Sequence, residues 1–329
     1  MGEQTPPRAR RGRRRWRRYA GRAPSAGVAA LLLAVLLVAN VALDPHSFAP
    51  AALGTTFGLM APLLLAAIAM TPVSLSGGFD LSVGPLMALV NAVVVHWVLP
   101  SRALASPLLA VSAALAVGLA SGLPNGVLAN LVRIPAAVAT PCTYFVYSGL
   151  ALLVAPTPGG SIPAWLAALA GGASALPVVA VLLVWWAVTR TSFYEQMLAT
   201  GGDDRAAYAN GVDVTTVRMG AYLLGGLFGG AAGLSLTALL NSANATIGPS
   251  YTLTAIAAVA LGGVSFAGGR GAVTGSAAGA AVIFLTQNLL TPLTGSHVVL
   301  QTCYGAMLLL SVALNAVIGG RPGRAGRPR

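Results

Sequence analysis

Residues 57–84 read FGLMAPLLLAAIAMTPVSLSGGFDLSVG. The first part, Phe57–Leu75, holds no charged side chain. A helix needs about 20 apolar residues to cross the hydrocarbon core of a bilayer, so this run predicts a membrane span. Gly77, Gly78 and Asp80 then interrupt it, and the apolar pattern resumes from Ser82. The stretch therefore reads as span, tight turn, span, with Asp80 or Ser82 able to cap the second helix.

Working outward, apolar runs of this kind recur at 27–43, 57–75, 82–99, 107–129, 134–155, 174–189, 218–240, 251–266, 272–291 and 298–318. Charged residues make up only 8% of the 329-residue chain, against about 25% in soluble domains. The expectation is an all-α polytopic membrane protein of about ten transmembrane helices. Several runs are short or broken by glycine, which allows bent or re-entrant spans.

Charge sets the expected orientation. All 19 basic residues are arginine, nine of them between Arg8 and Arg22 and four between Arg321 and Arg329. With ten spans and a cytoplasmic N-terminus, Arg133, Arg190, Arg205, Arg218 and Arg270 join both tails inside, and only Arg102 falls outside. That asymmetry obeys the positive-inside rule and predicts two cytoplasmic termini. Residues 1–26 and 319–329 are then basic cytoplasmic tails flanking a transmembrane domain at 27–318. The tails read as membrane anchors rather than nucleic-acid arms, and the run at 27–43 reads as a retained span rather than a cleaved leader.

The opening stretch has an internal echo. Residues 66–84, AAIAMTPVSLSGGFDLSVG, align without a gap to 257–275, AAVALGGVSFAGGRGAVTG, with 8 of 19 positions identical. Gly77 and Gly78 match Gly268 and Gly269, ahead of Arg270. In the ten-span topology both copies turn at the cytoplasmic face. This predicts a parallel internal repeat, one of the plans on which transporters are built.

Chemistry is narrowed by what the sequence lacks. There is no lysine, so no Walker A loop exists to hold nucleotide phosphates; energy for active transport has to come from another chain. No ionisable residue is clearly placed at mid-span, where a proton- or ion-coupled carrier keeps one. No paired carboxylates or His/Asp grouping suggests an enzyme or a metal site, and no cofactor is expected. Cys142 and Cys303 lie far apart in apolar runs and read as buried free thiols.

The densest polar stretch between the tails is Arg190–Val217, RTSFYEQMLATGGDDRAAYANGVDVTTV. Asp203 or Asp204 can cap a short helix through Tyr208, closed by Asn210–Gly211. Such a helix suits either docking of an energising partner or a plain connection between spans.

Taken in order, five landmarks resemble the permease subunits of bacterial ATP-binding-cassette importers for monosaccharides of the ribose, galactoside and xylose type. They are Ser76–Gly84; Pro124–Asn125–Gly126 with Ile134–Pro135; Val138–Ala139–Thr140 with Ser148–Gly149–Leu150; Ala199–Val214; and Ile256–Gly279. The resemblance runs from about Leu53 to Leu314. It implies that Ala199–Val214 matches a coupling helix docking on the ATPase, drawing on Glu195, Gly201, Gly202, Asp203, Asp204, Arg205, Ala206 and Gly211. It further implies a separate ATP-binding subunit, an extracytoplasmic sugar-binding protein and a second permease copy, identical or related, all at the bacterial cytoplasmic membrane. Asn91, Asn125, Tyr144, Tyr147 and Asn288, with Asn241 and Gln301, are candidates for a translocation path, weighed against interhelical hydrogen bonding. Pro141 and Cys142 stand where the family often has a leucine–glycine pair, which leaves cargo open. Branched-chain amino acids or nucleosides carried on the same architecture are the alternative, and a secondary carrier is a more distant one.

Overall fold

The computed structural model describes residues 24–100 and 106–294, together with 302, 305, 306 and 309. Among these residues no strand forms, apart from an isolated bridge between Gly159 and Ala243. Backbone amides inside a bilayer must be satisfied within their own segment, and apolar runs of this length meet that demand by coiling.

Twelve helices follow in order. The first five are α1 (Pro24–Leu43), α2 (Leu53–Leu75), α3 (Val83–Val93, extended by a π turn, Val94–Val98), α4 (Pro107–Asn130) and α5 (Ala136–Val154). A short α6 (Ala164–Ala167) with a 3-10 turn precedes α7 (Ala175–Thr189), α8 (Ser192–Gly202) and α9 (Asp204–Ala209). The long α10 (Val214–Leu240), α11 (Gly248–Leu261) and α12 (Val273–Thr294) complete the described chain.

Nine of the ten expected spans thus coincide with helices, and the run at 298–318 lies almost wholly outside the described residues. Among the described residues five helices are long and apolar enough to cross a membrane, or six if the bent α6–α7 pair is one span. Helix α11, with 14 residues, is about 21 Å long at 1.5 Å per residue. It is shorter than a hydrocarbon core of about 30 Å.

Helices α2 and α10 form the centre. Of the most apolar window of α2, 89% is buried inside the molecule, against 28% for α4. Helix α10 lies between α4, α2 and α3. Its fit against α4 is backbone on backbone: a Cβ added at Gly226 would strike the Gly118 carbonyl oxygen, and one at Gly118 would strike that of Gly226. Small residues permit such close approach where lipid supplies no hydrophobic drive.

The outside is apolar too. Val38, Leu108, Phe145, Leu153, Leu183 and Trp186 are all exposed. Aqueous surfaces rarely present apolar patches on this scale, whereas a bilayer accepts them. Cys142 belongs to this outward-facing set, which corrects its expected burial: the inner side of α5 packs on α3, and Cys142 lies on the other. The side chain of Cys303 is outside the described residues.

Successive long helices alternate between two ends. At one end lie Asp80, Arg133, Arg190, Glu195, Asp203, Asp204, Arg205, Asp213, Arg218 and Arg270; among the described residues only Asp44 carries a formal charge at the other. There the Gly159–Ala243 bridge joins two loops, and the Ser174 hydroxyl donates to the Gly54 carbonyl at 2.8 Å.

Candidate functional site

The charged end gathers three segments distant in sequence: the turn between α2 and α3, the paired helices α8 and α9, and the turn between α11 and α12. Each takes its form from local residues. The Asp203 carboxylate accepts from the Ala206 amide at 3.0 Å and so caps α9. Gly211, at φ +81°, closes the helix in the left-handed region, with its amide on the Tyr208 carbonyl at 2.9 Å. This is the short capped helix that the sequence predicted. Asp213 caps α10 in turn: the hydroxyl and amide of Thr216 donate to it at 2.6 and 3.1 Å and hold its carboxyl below the usual range.

From Gly202 to Gly211 only Ala207 is buried, so Asp203, Asp204, Arg205 and Ala206 all face outward. Glu195, in the first turn of α8, is exposed as well. Tyr208 is 75% exposed, a large ring held out among charges. Gly201, by contrast, is buried against the two turns, where a Cβ would meet the Leu75 carbonyl oxygen and the Gly269 amide.

Helix α10 ties these parts together. Arg218 donates from Nε to the Ser76 carbonyl at 3.3 Å, and its Nη2 lies 3.5 Å from an Asp204 carboxylate oxygen. One turn on, the Tyr222 hydroxyl donates to the Phe79 carbonyl at 3.2 Å. Gly77, Gly78, Gly268, Gly269 and Arg270 all lie in the two turns. The turns touch each other through an edge-on Phe79–Phe266 pair with ring centres 5.5 Å apart.

Asp80 departs from expectation. It is 5% exposed, and neither it nor Ser82 caps α3, since the cap position makes no side-chain bond. Instead the Ser82 amide and hydroxyl donate to Asp80 Oδ1 at 2.8 and 2.7 Å. The Asn125 side-chain amide donates to the Ser82 hydroxyl at 2.8 Å, and the Thr143 hydroxyl donates to Asn125 Oδ1. The physical reason is burial: a carboxylate taken from water needs donors, and the amide and hydroxyl of Ser82 supply them.

Of the remaining path candidates, Asn91, Asn288 and Tyr147 are hydrogen-bonded within the protein. Asn91 donates to the Ser242 carbonyl at 3.0 Å and accepts from the Asn244 amide at 2.7 Å. Asn288 donates to Asn40 at 3.0 Å, linking α12 to α1. The Tyr147 hydroxyl donates to the Ser121 carbonyl at 2.6 Å, and the Tyr144 ring packs edge-on against Phe145. Asn241 ends α10 in the left-handed region at φ +55°, and Gln301 lies outside the described residues. Arg218, Tyr222 and Thr143 were missed by sequence reasoning. Arg218 alone carried a signal, as an arginine just past the polar loop.

Comparison with known proteins adds a family match and several curated relatives. Residues 52–313 match the family model described as branched-chain amino acid transport system / permease component. The ribose import permease protein RbsC of Bacillus subtilis is 34% identical over 261 residues, covering 76% of this chain and 80% of that protein. RbsC of Escherichia coli K12 is 31% identical, covering 87% and 91%. The autoinducer 2 import system permease protein LsrC of Salmonella choleraesuis is 34% identical, covering 79% and 76%. No solved structure matches the chain.

Proposed function

This chain belongs to the branched-chain amino acid transport system / permease component family, and from that premise we propose that it is the membrane-spanning subunit of an ATP-driven sugar importer. One observation carries the energy coupling. The only long polar connection between its described spans folds into two short helices at the charged end, and Asp203, Asp204, Arg205 and Tyr208 face away from the bundle. Without lysine the chain cannot build a Walker A loop of its own, so an outward-facing charged and aromatic patch is where a separate ATPase docks. That places the charged end in the cytoplasm, in accord with the arginine bias.

The cargo reading rests on relatives. RbsC and LsrC are named for ribose and autoinducer 2 import, which favours a sugar or sugar-like solute over the amino acids in the family's description. The substrate crosses between this chain and a second permease copy, and a binding protein delivers it at the opposite end. The interior asparagines stabilise helix contacts, since each has protein partners already.

The test is made on tagged protein purified from its native membrane with its bound subunits. Replacing Asp203, Asp204 and Arg205 together with alanine leaves insertion intact but abolishes ATPase co-purification and ATP-dependent ribose uptake into proteoliposomes. Unchanged association would show the docking assignment to be wrong. Uptake that needs no ATP and collapses with an uncoupler would instead make the protein a secondary carrier.

A further inference from the structure

Where α8 ends, three backbones meet with no side chain between them. Gly201 from α8 lies against the Leu75 carbonyl at the end of α2 and against Gly269 in the turn between α11 and α12. The Gly269 amide donates to the same Leu75 carbonyl at 2.9 Å. Gly268, at φ +91°, presses on the Gly201 carbonyl, so that a Cβ there would overlap it. The joint is sealed from two sides, by the Phe79–Phe266 ring pair between the turns and by Arg218, which holds both the Ser76 carbonyl and Asp204.

A peptide-to-peptide contact has no rotamer to change and no flexible side chain to absorb a push. We infer that Gly201, Gly268 and Arg218 are positioning residues that make α8–α9, the end of α2 and the α11–α12 turn one rigid body, so that movement of the docking helices reaches both copies of the internal echo at once. The turn also passes displacement laterally, because Asp80 and Ser82 are bonded through Asn125 to α4 and from Asn125 to Thr143 on α5. This inference rests on the reading that α8–α9 docks an ATPase.

Two measurements test it in the assembled complex. Spin labels are placed at Ala209→Cys and Arg270→Cys, both exposed positions outside the proposed docking patch, with Cys142 and Cys303 replaced by serine. The distance between them within one chain stays fixed between nucleotide-free and ATP-trapped states. A change of several ångströms overturns the joint even if the ATPase stays bound. In the second, Gly201→Ala and separately Arg218→Gln keep the ATPase associated and hydrolysing, while uptake per inserted complex falls by about tenfold or more, the scale of a typical coupling energy. Wild-type uptake by Gly201→Ala overturns the inference. Failure of the docking reading is a separate result, seen when the Asp203, Asp204 and Arg205 replacement leaves the ATPase bound.

Discussion

Asp80 is the residue at which local reading and packing part. A carboxylate beside glycines and a serine invites assignment as a helix cap, and only the approach of Asn125 from α4 turns it inward. Replacing it with leucine leaves the Ser82 amide and hydroxyl without an acceptor, and an unsatisfied buried donor costs about 1–3 kcal/mol. Asp80→Leu is expected to lower the unfolding temperature in detergent clearly, and Asp80→Asn, which keeps a carbonyl acceptor, to lower it less. Equal melting of both variants and the wild type would show that the buried bonds contribute nothing. Arg218 makes the complementary point: its charge was legible in sequence, but its two partners sit at positions 76 and 204. No spacing rule brings those together.

Among the helices, α4 and α10 illustrate how a sequence of small residues becomes a fit. Gly118, Gly122, Gly226 and Gly230 place the two backbones in direct contact. Gly226→Leu inserts four carbons where none fit. Overpacking of a close-fitting core costs about 1–3 kcal/mol, so folded yield and thermal stability should both fall. Gly149, where an added Cβ meets nothing within 4 Å, is the control, and Gly149→Ala should melt like the parent. Comparable loss at both sites would mean that glycine content rather than contact matters. The short α9 was readable from its Asp203 cap and Gly211 stop, because capping is decided within a few residues. The preceding α8 was not, since its 11 residues combine charge and apolar groups without a long run.

For the whole molecule, the gathering of charge at one end of the described residues predicts how the protein sits in a membrane. A membrane-impermeant maleimide applied to intact cells should label Ser47→Cys, beside Asp44, and leave Tyr208→Cys unlabelled until the cells are opened, with Cys142 and Cys303 replaced by serine. The reverse pattern would invert the orientation and remove the cytoplasmic docking face. Deleting the basic residues before position 24 should reduce correct insertion while leaving uptake per inserted molecule unchanged. These outcomes concern orientation and do not depend on which solute is carried.

The membrane class, the helical content and nine helix positions were determined by sequence alone, because a bilayer imposes a length and a polarity that every span meets on its own residues. So were the charge bias and the short capped helix α9, which rest on composition and on contacts a few residues long. Tertiary structure alone decided that the glycine turns at 77–78 and 268–269 meet Gly201, that Asp80 faces inward, and that the interior asparagines hold helices together. Those depend on which surfaces of apolar helices face one another. Within lipid, alanine and glycine look much alike in a sequence, and only packing distinguishes an open face from a backbone contact.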